Sequence, residues 1–237
     1  MILPQLLWRF LRHRDDPVFY ELQAADAIRW LEACGVPVGP GVRALDLGCG
    51  HGVFGGRLAA RGVSVTFADE SNQLLPQHRD APFITVNLDR DSTANDRLGR
   101  HDLVVCSNVL EHLAEPERWL YSAHELLAEN GRLYLSWTNW LSPWGGHEFS
   151  PLHYLGPTLG PRLYDTLASR KRFHQPHVNL FPTYIGSILR TLREDSGLQV
   201  VRAAPRYYTE LEFILSVPGL REFAAWNCAL LLEKRPG

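Results

Sequence analysis

Two stretches concentrate the residues able to do chemistry. The first, Val42 to Gly52, reads V-R-A-L-D-L-G-C-G-H-G. A mostly apolar run (Val42, Ala44, Leu45, Leu47) carries a carboxylate, Asp46, near its end. Three glycines at alternate positions follow: Gly48, Gly50 and Gly52. Glycine has no Cβ and tolerates positive φ, so the chain can turn sharply there and lay its amides, with Cys49 between them, against a ligand. An acid ahead of the first glycine disfavours a pyrophosphate and suits a cationic group. The overlapping segment Gly50-His51-Gly52-Val53-Phe54-Gly55 also has the G-x-G-x-x-G spacing of a dinucleotide turn. With 19 glycines in 237 residues such spacings arise readily, and on this stretch alone both ligands stay open.

The second stretch, Thr138 to Gly156, reads T-N-W-L-S-P-W-G-G-H-E-F-S-P-L-H-Y-L-G and has no periodicity. Trp140 and Trp144 beside polar groups suit either a pocket for an apolar or aromatic molecule or the packed core of a lid. Histidine titrates near neutral pH, which makes His147 and His153 the candidate bases, with Glu148 as an orienting partner. With Arg170 to His177 the region becomes histidine-rich. His174-x-x-His177 holds Pro176, however, and no third ligand has a telling spacing, so no metal site is expected.

The elements that must position these groups follow in order. Val53 to Arg61 reads as a helix stopped by Gly62. Val63 to Ala68 is a second strand, and its end at Asp69-Glu70 suits a ribose diol, since a carboxylate accepts two hydroxyl protons. Pro82 to Leu88 is a third strand; by position, Asn87 and Leu88 meet an adenine edge and face. His101 to Ser107 is the fourth, running into Asn108-Val109-Leu110-Glu111-His112-Leu113 and Ala114-Glu115-Pro116. Pro116 to Asn130 reads as a helix with one apolar stripe (Trp119, Leu120, Ala123, Leu126, Leu127), and Arg132 to Trp137 as the fifth strand. A helix follows Pro182 up to Arg193. Leu198 to Tyr208 and Trp226 to Lys234 read as the last strands, with a short helix between them.

The D-L-G-C-G-H-G turn resembles the D-x-G-x-G-x-G motif of class I S-adenosylmethionine-dependent methyltransferases. D-L-V-V-x-x-x-V-L-E-H-L-x-x-P, from Asp102 to Pro116, resembles the fourth-strand region of small-molecule members of that superfamily. W-S-P-W-G-G-H-E is similar to the mark of an uncharacterised bacterial subgroup. The resemblance covers Val42 to Trp137 and the last two strands. It implies a Rossmann-like, doubly wound α/β fold: a seven-stranded, mostly parallel sheet with an antiparallel last strand. Residues 1–35 would form a helical N-terminal cap, 42–137 the cofactor-binding core, 138–182 a substrate-side insertion after strand five, and 183–237 the rest of a single domain. The implied cofactor is S-adenosyl-L-methionine, held by Asp46, Gly48, Cys49, Gly50, Asp69, Glu70, Asn87, Leu88, Ser107, Asn108 and His112. For His112 a hydrogen bond that shapes its loop stands beside any catalytic role.

Composition narrows the partners. A net charge of −2 offers no global basic field for nucleic acid, and no N-P-P-Y/W signature follows strand four. The four cysteines (Cys34, Cys49, Cys106, Cys228) are scattered, which fits reduced thiols in a cytoplasmic protein. No apolar run approaches the ~20 residues of a membrane span, and the first residues lack a signal-peptide cleavage site. Ile2, Leu3, Leu6, Leu7, Phe10 and Leu11 recur at helical spacing near Arg9, Arg12 and Arg14, as in a helix that covers a pocket or lies on a membrane surface. The expected function is methyl transfer to oxygen, nitrogen or carbon of a small molecule or lipid precursor. A cofactor-binding scaffold or regulator without turnover is one alternative, and an NAD-dependent oxidoreductase another.

Overall fold

The computed structural model describes residues 1–13, 16–168, 171–194 and 196–236; Arg14 and Arg170 lie outside them. Two helices, α1 (Leu3–His13) and α2 (Pro17–Ala33), precede the sheet. The Asp16 side chain caps α2 by accepting from the Phe19 amide, and Pro17 takes the first turn, where its missing N–H does no harm. Then come β1 (Arg43–Leu47), α3 (Val53–Ala59), β2 (Ser64–Asp69), β3 (Phe83–Thr85), α4 (Ala94–Leu98), β4 (His101–Ser107), α5 (Pro116–Ala123), β5 (Leu127–Thr138), α6 (Gly156–Leu167), α7 (Ile185–Arg193), β6 (Leu198–Pro205), α8 (Phe213–Ser216), α9 (Leu220–Ala224) and β7 (Asn227–Lys234).

The sheet order is β3-β2-β1-β4-β5-β7-β6. The first five strands are parallel, and β7 runs antiparallel between β5 and β6. This is the Rossmann-like α/β sheet expected from the sequence. Its strands are near-continuous apolar runs because helices cover both faces. Along β4, Leu103 and Val105 join the core beneath α2 and α3, while Val104 and Cys106 join the one beneath α5 and α7, the period of two that a strand imposes.

Several elements differ from the sequence reading: β3 stops at Thr85 rather than Leu88, and β6 at Pro205 rather than Tyr208. The stripe from Pro116 is helical only to Ala123; His124–Leu126 form a 3₁₀ turn and β5 begins at Leu127. Leu127 pairs with His101 and Arg132 with Leu103, so the intervening residues bulge out of register. A Cβ at Gly131 would lie 2.7 Å from the His101 carbonyl. Leu126 and Leu127 are buried in either reading, so burial alone did not separate helix from strand. The insertion after β5 also holds a helix, α6, with Pro161 inside it.

The glycine turn is packed from below. Gly55, in the first turn of α3, faces Phe67 of β2; a Cβ there would sit 2.4 Å from the ring and 2.8 Å from Asp46 Oδ2. Gly55→Ala is therefore expected to destabilise the fold by about 1–3 kcal/mol through overpacking, read as a melting temperature several degrees lower. An unchanged melting temperature would mean that the Phe67 ring swings aside freely.

Candidate active site

The carboxyl ends of β1, β2, β3 and β4 form one polar edge. The Gly48 and Cys49 amides both donate to the Ala68 carbonyl (2.8 and 3.1 Å), which fixes the start of the turn. Gly50 has φ +50, and a Cβ there would meet nothing within 4 Å; its outer face is open. Its amide donates to Asp69 Oδ2 at 2.8 Å, and Asp69 Oδ1 accepts from the Glu70 amide. The Asn87 side-chain amide donates to Glu70 at 2.7 Å, while its carbonyl caps the Asp89 and Arg90 amides. Leu88 rests half-buried on the core. Cys49 is half-buried, and burial first, then Asp46 and Asp69, raises its thiol far above the ordinary value.

Asp46 sits beneath this turn rather than on it. It is 2 % exposed and accepts from the Gly55 amide at 2.8 Å. It therefore supports the loop and α3 and offers no open carboxylate to a ligand, unlike the direct contact read from the sequence.

Ser107 and Asn108 end β4. Ser107 accepts from Ser136 Oγ at 3.3 Å. Asn108 holds φ +57, a conformation that asparagine tolerates better than most residues. Its Oδ1 accepts from Arg206 Nη1 (3.0 Å) and Asn227 Nδ2 (2.8 Å), and its Nδ2 reaches Gln23 at 3.5 Å. Beside it opens a cavity of about 780 Å³. Leu3, Leu6, Leu7 and Phe10 of α1, Phe19 and Tyr20 of α2, and Trp144, Tyr164, Phe173, Tyr207 and Trp226 give it apolar and aromatic walls. Its polar lining includes Gln23, Asn108, Thr138, His147, Glu148, His174 and Asn227. Trp144 packs edge-on against Phe10 at 4.6 Å and against Trp226 at 5.5 Å, closing α1 over the insertion. Gln23, Thr138, Asn227 and His174 escaped the sequence reading of the site. Only His174 had a signal there, as part of the histidine-rich region.

The histidines divide. His153 is fully buried outside the cavity lining; its Nε2 meets the Ser142 carbonyl at 3.0 Å, and its ring packs on Trp140 and Tyr154. A ring enclosed in this way holds the loop and presents no nitrogen to the cavity. His147 does line it, at φ +50. Burial, then the His174 and His112 rings, push His147 down to about 3, so it is neutral at pH 7 and a weak base. Burial opposes ionisation of Glu148, but hydrogen bonds from the His174 ring and amide bring it down to about 2, so it is an anion. His112 binds the Asn179 carbonyl through Nδ1 at 2.7 Å, in the loop-shaping manner. Its neighbour Glu111 is 1 % exposed and accepts from the Thr138 amide at 2.9 Å.

A methyltransferase-domain family model matches residues 45–133. An uncharacterized methyltransferase of Mycobacterium ulcerans is 32 % identical across 98 % of this chain and 93 % of its own length. Another, from Mycobacteroides abscessus, is 32 % identical over 92 % of this chain and 87 % of its own. The chain belongs to the class I S-adenosylmethionine-dependent methyltransferases. The crystal structure of such an enzyme from Mesorhizobium loti shares the fold: TM-score 0.58 at 22 % identity, covering 89 % of this chain and 98 % of that one. That enzyme is S-adenosylmethionine-dependent. The open face of Gly50, with acceptor oxygens at Asp69 and Glu70 beside it, fits an adenosyl group bearing a charged amino acid. Among the described residues no helix is long and apolar enough to cross a membrane.

Burial first raises Asp46 of the methyltransferase to about 7; the Gly55 amide opposes this and the Asp69 charge adds to it. The folded chain thus binds this proton more tightly than the unfolded chain, whose carboxyl titrates near 3.8. The resulting stability is complete below the unfolded value and is lost as the pH rises towards about 7. Melting temperatures measured from about pH 4 to about pH 8 should fall for the wild type relative to Asp46→Asn, which lacks this titration. Parallel curves would mean that the buried carboxyl ionises freely.

Proposed function

We propose that this methyltransferase acts on a small molecule or lipid precursor with a substantial apolar part, bound in the cavity beside Asn108. The observation that carries this reading is the cavity itself. Pockets of roughly 300–1,000 Å³ with apolar walls and a few convergent polar groups are the usual form of a small-molecule site. The absence of a basic field in a chain of net charge −2 argues against a nucleic-acid acceptor.

Bound S-adenosylmethionine supplies an electrophilic methyl group on a cationic sulfur. The protein's part is chiefly to align an acceptor lone pair with that carbon and to keep water out, which is worth ~7–11 kcal/mol. In this reading Asp69 and Glu70 accept from the ribose hydroxyls, Asn87 and Leu88 flank the adenine, and Ser107 and Asn108 border the amino-acid end. The aromatic rings of Trp144, Trp226 and Phe10 hold the acceptor, and α1 closes the cavity over it. His147 touches the acceptor side as a neutral ring, while Glu148 fixes His174. His153 maintains the loop and takes no proton from an acceptor.

Calorimetric titration with S-adenosylhomocysteine tests the cofactor half. Asp69→Ala should weaken it about 100-fold, because hydrogen bonds to a charged group contribute ~1.5–3 kcal/mol each, and NADH should not bind. Equal affinity in wild type and variant would remove Asp69 from the site. For the acceptor half, labelled methyl groups are offered from S-adenosylmethionine to separated small-molecule, lipid, protein and nucleic-acid fractions. Label should enter one of the first two fractions, and Trp144→Ala should lower the rate about tenfold, equivalent to ~1.4 kcal/mol. Label in macromolecules would refute the small acceptor. Binding without transfer to any fraction would favour the scaffold reading.

A further inference from the structure

His112, His147 and His174 come from three separate segments: the turn after β4, the 3₁₀ turn of the insertion, and the loop ahead of α7. Each brings one ring nitrogen within 4.8 Å of the other two. The His147 and His174 ring centroids are 4.3 Å apart, and His112 lies 5.5 Å from each. Tetrahedral ligation at about 2.0–2.1 Å requires nitrogens about 3.3 Å apart, so the rings would draw together on the ion.

We propose that these three histidines bind a divalent zinc-type metal ion, leaving a fourth coordination position for an oxygen of the molecule in the cavity. Hydrogen bonding already orients two of the rings. Nδ1 of His112 donates to the Asn179 carbonyl, and Nδ1 of His174 faces the Glu148 side chain, which also accepts the His174 amide. In each ring the proton is thereby placed on Nδ1 and the Nε2 lone pair is left to donate. A carboxylate or carbonyl behind a ligating imidazole is the ordinary outer partner of a metal site. On the third ring, His147 Nδ1 is buried with no hydrogen-bond partner among the described residues. The left-handed backbone of His147 is a strain that persists where its surroundings over-determine it. Packing alone does not account for three imidazoles converging with unused nitrogens.

The donor set selects the ion. Three imidazoles and no carboxylate ligand suit zinc, copper, nickel or iron over magnesium or calcium. Three protein ligands plus an open position is the pattern of catalytic rather than structural zinc. His147 and His174 line the cavity, so the open position faces its occupant. An acceptor hydroxyl ligated there would release its proton more readily, as metal-bound water does. The site rests on the cluster and holds whatever the cavity accepts.

The test uses the full chain, stripped by chelator and titrated calorimetrically with zinc chloride; cobalt(II) absorption reads the coordination geometry. One zinc per chain is expected, with visible cobalt bands of tetrahedral intensity. His147→Asn and His174→Gln should each weaken zinc at least 100-fold. Asparagine is chosen at position 147 because it tolerates positive φ. Glu148→Gln should weaken zinc 10–100-fold, as loss of an outer partner does. His177→Asn, at an exposed residue outside the trio, should leave it unchanged. S-adenosylhomocysteine affinity, measured in parallel, should be the same in all variants. Its loss in the wild type would strike at the cofactor reading alone, and its loss in a single variant would mark that variant as misfolded. No zinc binding by the wild type, a cobalt spectrum without tetrahedral bands, or affinity unchanged in folded histidine variants would each overturn the proposal.

Discussion

The side-chain carbonyl of Asn108 is the point on which the site depends. It sits at the carboxyl end of β4, where cofactor edge and cavity meet, and accepts from both Arg206 and Asn227. Arg206 is 3 % exposed and makes no direct salt bridge among the described residues. A buried guanidinium without such an arrangement would be strongly destabilising. Here it is held by the Asn108 oxygen and by the faces of Tyr134 and Tyr207, about 6 Å from its centre. Removing the Asn108 carbonyl would take from Arg206 Nη1 its acceptor and leave Asn227 Nδ2 with the Thr138 hydroxyl at 3.4 Å. Asn108 is thus held from the residue after β6, from β7 and, through Gln23, from α2. Parts of the chain distant in sequence set one residue at the cavity mouth.

A second constraint joins the insertion to the sheet. The Glu111-His112 dipeptide spends its polar groups on it: Glu111 Oε1 on the Thr138 amide, the Glu111 carbonyl on the Phe181 amide, and His112 Nδ1 on the Asn179 carbonyl. Both ends of the insertion are therefore pinned to the turn after β4, close to the end of the strand that carries Asn108. A motif that reads as part of the cofactor edge thus also clamps the insertion to the sheet.

The sheet was legible because each strand buried on both faces must be apolar along its length, and because Gly48, Gly50 and Gly52 can be read as a turn without knowing what lies opposite. The places of Asp69, at the end of β2, and Asn87, two residues past β3, were legible for the same reason: they follow from strands in a fixed order. The end of α5 was not, since Leu126 and Leu127 satisfy a helical stripe and a buried strand equally well. The depth of Asp46 was hidden too, because only the packing of α3 on β2 shows which side of the turn it occupies. The histidines were harder still. His147 and His153 are six residues apart and look equivalent, yet one faces the cavity and the other the packing of Trp140. His112, His147 and His174 converge across separations that carry no period, so no spacing rule could group them.

This arrangement separates the work by element. The parallel half of the sheet, β1 to β4, holds the groups that fit the cofactor, and its geometry follows from strand order alone. The cavity is made almost entirely from what is added to that half: α1 and α2 before it, the insertion after β5, and the approach to β7. Those additions contact one another mostly through side chains, as Trp144 does with Phe10 and Trp226, with single backbone bonds such as Asn139 to the Trp226 carbonyl, while β7 is held by ladder hydrogen bonds to β5 and β6. Side-chain contacts tolerate substitution more readily than a ladder does. Changes in α1 or the insertion can therefore reshape the acceptor space while Gly50, Asp69 and Asn108 stay where the sheet puts them. In the proposed reading, acceptor choice accordingly lies with Phe10, Trp144, Phe173 and Trp226, and the alignment of the methyl donor with the strand ends.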